Sequence, residues 1–333
     1  MHNLKIWNYL SIPWLVFTFT FFIIFFLLAF LVEIDSSYLS KNYLNKLFLN
    51  TVILSFGSAI LSAIIAVPLA ILVTFYKFPG HRFFSWSLSL SIAFPAYVYA
   101  FIYVGIFEYA SPISEYLRNF NITLPQIKNI YGASVIMSMA LFPYIFLLTK
   151  AHLRSVGIKS FKAAKSLGNN NITAIRKVII PSLWPTIIAG MALVVFETIA
   201  DFGGVSTLRI ETFTVGIYDA WFGYQSYFSA TRLAGYLLIF VFLIMFLAKY
   251  FGEKSSNLAS KTAETFQRIE TSPMVGLGVL FFCSFVFIIV FCLPTTQLII
   301  WNLSDSSSNI LSNLQLLINS SIVGLLASVI TVF

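Results

Sequence analysis

The chain has 333 residues, of which 59% are hydrophobic and only 10% charged, against roughly 25% charged in an ordinary soluble domain. With a mean hydropathy of +0.90, a water-soluble globule would expose large apolar patches. Disordered chains, nucleic-acid binders and conventional cytosolic enzymes are therefore excluded, and an all-α, multi-pass membrane protein remains. The net charge of +8 then matters by position, because Lys and Arg report which side of a membrane a loop occupies.

A bilayer core needs about 20 apolar residues per helix. Seven segments qualify, at residues 13–32, 51–75, 83–107, 131–149, 185–203, 233–248 and 275–293, and an eighth runs from near Leu316 to Phe333. None shows the alternation of a barrel strand. The first follows a single Lys5 and precedes no small-residue cleavage site, so it is read as a retained span. With the N-terminus in the cytoplasm, fourteen of the 20 Lys and Arg lie inside. These are Lys5, Lys77, Arg82, Lys150, Arg154, Lys159, Lys162, Lys165, Arg176, Lys177, Lys249, Lys254, Lys261 and Arg268. Outside lie Lys41, Lys46, Arg118, Lys128, Arg209 and Arg232. Pro68, Pro95 and Pro143 each interrupt a span, as hinges or as fixed kinks.

The run LNTVILSFGSAILSA from Leu49 recurs as INSSIVGLLASVITV from Ile318, with Asn50 over Asn319 at an offset of 269. Thr51, Ser55 and Ala59 correspond to Ser320, Gly324 and Ser328, every fourth residue on one helix face, where small side chains let helices approach. An apolar span precedes each copy. The repeat predicts a six-helix unit over 1–255 with its core at about 46–250, a cytoplasmic linker at 256–272, and the beginning of a second unit at 273–333. Phe333 falls inside a helix of that second unit, so the chain is expected to continue into a twelve-span protein.

The loop at 150–184 contains KSFKAAKSLGNNNITAIRKVIIPSLWP, from Lys159 to Pro185. It reads as a short helix, a break at Gly168 and the asparagines after it, a second short helix and a proline stop at Pro181. Ala163, Ala164 and Leu167 share one helical face as a small apolar knob. Such a loop docks in a partner's groove or rests on anionic headgroups. Its spacing resembles the signature loop of MetI-like ABC importer permeases, E-A-A-x-x-x-G-x(9)-I-x-L-P. Lys162 stands where Glu is usual, Ala163, Ala164 and Gly168 match, and Val178, Ile180 and Pro181 follow where the family has Ile, Leu and Pro. The resemblance implies a coupling loop in which Ala163, Ala164, Leu167 and Gly168 contact a separate cytoplasmic ATPase dimer. The chain itself has no G-x-x-x-x-G-K-[ST], so it is expected to be a transporter subunit and not an enzyme.

The segment ETIADFGGVSTLRIETFTVGIYDAWFG, from Glu197, is similar to ferric-iron ABC permeases, where D-F-G precedes T-F-T-x-G-I-Y-x-A-W. That resemblance implies import of ferric iron across a bacterial inner membrane. A periplasmic iron-binding protein would deliver it, and a second permease half would complete the path. Thiamine, sulfate and polyamine permeases share the loop signature, and an ion-gradient-driven secondary transporter is the alternative outside the class. Glu197 and Asp201 lie four apart on one helix face, close to the outer end of the fifth span. They line a path for a hard, oxygen-seeking cation, or they cap the helix. Tyr218 and Asp219 are placed at the outer mouth, as is Glu108. No cofactor or resident metal is expected: His2, His81 and His152 are scattered, and Cys283 and Cys292 face opposite sides of one helix.

Overall fold

The computed structural model describes residues 3–31, 40–252, 268–304 and 310–332. Six helical stretches among them are long and apolar enough to cross a membrane, and a sharply bent pair would make a seventh. Five of the six are built on α2 (Lys41–Phe75), α6 (Ile130–His152), α9 (Ile180–Ala200), α12 (Tyr227–Gly252) and α15 (Ile310–Val332), while α1 (Asn3–Leu31) offers a shorter apolar stretch at Val16–Leu31. α13 (Pro273–Phe287) and α14 (Leu293–Ser304) form one further span, joined by a π turn at Ile288–Cys292. That span therefore runs about a dozen residues past the end expected at 293. The linker expected over 256–272 lies, up to residue 267, outside the described residues.

Polar caps set where helices begin. Ser40 accepts the Tyr43 N–H at the start of α2. Asn129 accepts the N–H groups of Tyr131 and Gly132 at the start of α6 (3.0 and 2.9 Å). Each satisfies donors that a helix N-terminus leaves unpaired.

The centre of the fold is α2 against α6 and α9. Ser55, Ser58, Ala59, Ser62 and Ala66 of α2 are buried. Their small side chains bring the backbones together: Ser62 Oγ donates to the Ser138 carbonyl (3.3 Å), and a Cβ on Gly57 would stand 2.9 Å from Ser134 Oγ. These pairings run in step, so α2 and α6 are parallel. α9 is antiparallel to α6, with Thr186 Oγ1 3.0 Å from His152 Nδ1 and Gly190 against Ile145.

The third span departs from expectation. Instead of one helix over 83–107, the chain forms α3 (His81–Ser87), a 3₁₀ turn at Leu90–Ala93, α4 (Ala96–Phe107) and α5 (Pro112–Arg118). The two arms meet at 90°. Pro95 is the pivot, since it restricts Phe94 to extended backbone and lacks the N–H that would continue a helix. Pro68 and Pro143 lie inside α2 and α6 without ending them.

The α13–α14 span packs beside this broken one. Tyr99 and Tyr103, both buried, donate their hydroxyls to the Val290 and Ile289 carbonyls in the π turn. The wider turn leaves carbonyls short of partners, and the tyrosines supply them. A short parallel ribbon, β1 (Tyr76–Lys77) with β2 (Ile269–Glu270), ties the start of this span to the end of α2, reinforced by Lys77 Nζ to Glu270 Oε1 at 2.9 Å. Cys283 and Cys292 are free.

Candidate functional site

Two features stand out: a basic hairpin beyond the bundle and a cavity within it. The hairpin begins where α6 passes through a π turn (Leu153–Gly157) into α7 (Ile158–Ser166). Gly168 ends it with φ +83°, a left-handed conformation that only glycine adopts cheaply. The Gly168 and Asn169 N–H groups bond the Lys165 and Ala164 carbonyls (3.0 and 3.2 Å). Asn170 then caps α8 (Asn171–Ala174) by accepting the Thr173 N–H at 2.7 Å.

The expected knob is divided. Ala164 is buried with Ile158, Phe161 and Ala174 in the main core, and Phe161 packs on Phe75 of α2 (ring centroids 5.0 Å). Ala163 and Gly168 are exposed, and Leu167 is 81% exposed. One helical turn carries both faces, because Ala164 is about 100° round from Ala163 while Leu167 lies four residues on from it. The outward apolar group is therefore Ala163 and Leu167, joined by Ile172 (73% exposed), which sequence reasoning passed over. Lys162 is also exposed.

The proline stop is not observed either. A π turn at Ile175–Ile179 carries the helix through Pro181 into α9. The Ile180 N–H reaches back five residues to the Ile175 carbonyl, and this widening accommodates the proline ring. Val178 is half-buried, Ile180 and Pro181 are exposed, and the buried side chain of this stretch is Ile179.

The cavity, of about 290 Å³, opens where two helices are interrupted. Phe94, Pro95 and Ala96 at the break of the third span form one wall. Ala140, Leu141 and Tyr144 of α6 form another, and Glu197, Ala200 and Asp201 close it. Tyr144 Oη lies 3.4 Å from Glu197 Oε1. Glu197 and Asp201 thus share one cavity, but Asp201 has left the helix: it follows the last residue of α9, and its carboxylate accepts the Gly204 N–H at 3.1 Å. It caps α10 (Gly203–Thr207) while lining the cavity.

The depth also differs from expectation. The carboxylates sit against the middle of α6, which runs on from Ala140 to Ile130, about 15 Å at the α-helical rise. The remaining depth is filled by α10 and α11 (Phe213–Tyr218), tied to α2 through Thr51 Oγ1, which accepts the Phe213 N–H at 3.1 Å. Helix length alone could not reveal that α9 stops short of its neighbour.

The remaining mouth residues separate. Tyr218 is half-exposed and packs its ring on Phe202 (4.6 Å). Asp219 follows the last residue of α11 and opens a π turn at Asp219–Gly223. Glu108 lies in a different pocket, 3.7 Å from Lys128. Tyr144, the cavity's third oxygen, had one available signal: it directly follows Pro143 in an apolar span.

Among the described residues, no three His, Cys, Asp or Glu side chains converge as a metal site. The cavity offers two carboxylates and a phenol on apolar walls. Oxygen donors of this kind suit a hard cation better than an anion.

Residues 66–257 match the family described as binding-protein-dependent transport system inner membrane component. The sulfate transport system permease protein CysT of Salmonella typhimurium is 26% identical over 155 residues, covering 46% of this chain and 55% of that protein. The Fe(3+)-transport system permease protein FbpB 2 of Haemophilus influenzae is 25% identical over 240 residues, covering 72% of this chain and 44% of that protein. The chain spans about half the length of the curated relatives it matches. Among solved structures, a chain of a bacterial alginate ABC transporter, in complex with alginate pentasaccharide-bound periplasmic protein, superposes with a TM-score of 0.54 at 16% identity. The match covers 76% of this chain and 99% of that one, and shows the fold.

Proposed function

Because this chain belongs to the family of binding-protein-dependent transport system inner membrane components, we propose that it is a permease subunit of an ATP-driven importer whose cargo is ferric iron. In this reading a periplasmic iron-binding protein delivers the ion and a cytoplasmic ATPase dimer docks on the hairpin. The N-terminus is cytoplasmic, and a second permease half, begun at 273–333, completes the path. Alternating access follows from linkage: ATP and loaded binding protein each favour one of two states of the bundle. Ala163, Leu167, Gly168 and Ile172 present the hairpin contact, while buried Ala164, Phe161 and Ala174 transmit its movement to α2 and α6.

The observation that carries the cargo assignment is the cavity of Glu197, Asp201 and Tyr144. Two carboxylates at the middle of α6 suit a hard cation and oppose a sulfate. The longer match to an Fe(3+) permease agrees with it. The similarity to CysT favours a second reading, sulfate import. Uptake of labelled Fe(III) and labelled sulfate, in cells with the intact gene and cells lacking it, separates the two. Cells lacking the gene should lose iron uptake alone, and Glu197→Gln should lower the initial rate about ten-fold (~1.4 kcal/mol) relative to the unaltered chain. Loss of sulfate uptake with iron unchanged would overturn the iron assignment.

A further inference from the structure

We propose that the basic end of the bundle carries a site for the phosphate of an anionic phospholipid, built from Arg82, Arg154 and Arg268 beside the exposed rings of Phe83 and Trp86. Three separate elements converge there. Arg82 is the second residue of α3. Arg154 lies in the π turn after α6 and donates to Ser85 Oγ at 3.2 Å, while Lys150 donates to the Ser85 carbonyl. Arg268 immediately precedes β2, which the ribbon holds against Tyr76 and Lys77, just before α3.

The cluster has charge to spare. Burial, and then the positive charges of Arg154 and Arg82, lower the proton affinity of Arg268. Its Nε is buried with no hydrogen-bond partner among the described residues. The neighbouring carboxylate, Glu270, is held by Lys77. The linker at 253–267 carries two Glu and two Lys and brings no net charge. Converging guanidiniums with open donors are a phosphate-binding arrangement.

The surroundings point to a lipid rather than a soluble anion. α3 sits at the basic end of the bundle: its Ser85 meets Lys150 and Arg154, and the chain then runs along α6 to Phe94 beside Ala140 and Leu141. Phe83 and Trp86 are 42% and 55% exposed on it, as aromatic side chains are at a membrane–water boundary. Phe83 packs on Phe287 of α13 (5.3 Å), and α13 continues the surface with exposed Leu277 and Phe281. Headgroup and acyl chains would thus each meet matching chemistry. By the charge bias this is the cytoplasmic leaflet, where anionic lipids attract basic clusters. The proposal rests on the membrane reading and is independent of the cargo.

The test is native mass spectrometry of the full chain in detergent, titrated with phosphatidylglycerol or phosphatidylcholine. Preferential retention of phosphatidylglycerol is expected, falling about five-fold per guanidinium removed in Arg82→Gln and Arg82→Gln/Arg268→Gln. The corresponding Lys variants should keep the preference, and circular dichroism checks that each variant is folded. A photoactivatable phosphatidylglycerol on the unaltered chain should label residues 82–86. Equal retention of the two lipids, or unchanged phosphatidylglycerol binding in the double Gln variant, would overturn the proposal. So would displacement by an equal concentration of inorganic phosphate, or loss of ATPase co-purification with lipid binding intact.

Discussion

α2 and α15 are built from one sequence pattern and end in opposite surroundings. Each carries an Asn followed by small residues at every fourth position, 269 residues apart, and the helices themselves start at Lys41 and Ile310. In α2 the pattern is fully used. Asn50 donates to the Glu211 carbonyl (2.9 Å), Thr51 holds the Phe213 N–H, and Ser55 and Ala59 are buried. In α15 no residue from Leu314 to Thr331 is buried. Ser328 bonds its own helix at Gly324, and nothing lies within 4 Å of a Cβ placed on Gly324. A small-residue face creates no stability by itself. It permits close approach, and the stabilisation comes from a partner that accepts the invitation.

The largest expected contrast is in labelling. In the 333-residue chain, Ser55→Cys should resist a membrane-permeant maleimide while Gly324→Cys reacts fully. Protection of Gly324→Cys on co-expression of a second permease unit would extend the packing of α2 to its repeat. Labelling in both settings would break the comparison. Next comes overpacking. Ser62→Leu should cost about 1–3 kcal/mol by thermal unfolding in detergent, whereas Ser328→Leu should stay within about 0.5 kcal/mol. Thr51→Val removes the acceptor of the buried Phe213 N–H, for an expected loss of about 1–3 kcal/mol, against no measurable loss for Ser320→Ala. Smallest is Glu211→Gln. Its pair with Lys46 (2.7 Å) is about half exposed, so the loss should be under about 1 kcal/mol and vanish in high salt.

The hairpin and the cavity show the same division between pattern and partner. The break at Gly168 could be foreseen, because a glycine followed by asparagines is local turn chemistry that needs no partner. The inward turn of Ala164 could not, since Ala163 and Ala164 are chemically identical and only Phe161, Phe75 and Ala174 decide which of them is buried. Glu197 and Asp201 were legible as candidates because carboxylates are costly among apolar residues. Tyr144 was not, as a tyrosine in a span is commonplace until a carboxylate stands beside it.

By itself, then, the sequence determined that this is a helical, multi-pass membrane protein, which segments are apolar, where the basic loops lie and which family's loop signature it carries. All of these follow from transfer free energies and local backbone preferences, properties that a segment owns alone. The tertiary structure decided that the third span breaks at Pro95, that α9 stops at the middle of α6, that Pro181 is passed and that α13 and α14 lean on Tyr99 and Tyr103. In the last of these the carbonyls of the π turn find their donors on another helix, and in lipid an unpaired group costs too much for such a turn to be settled within its own segment.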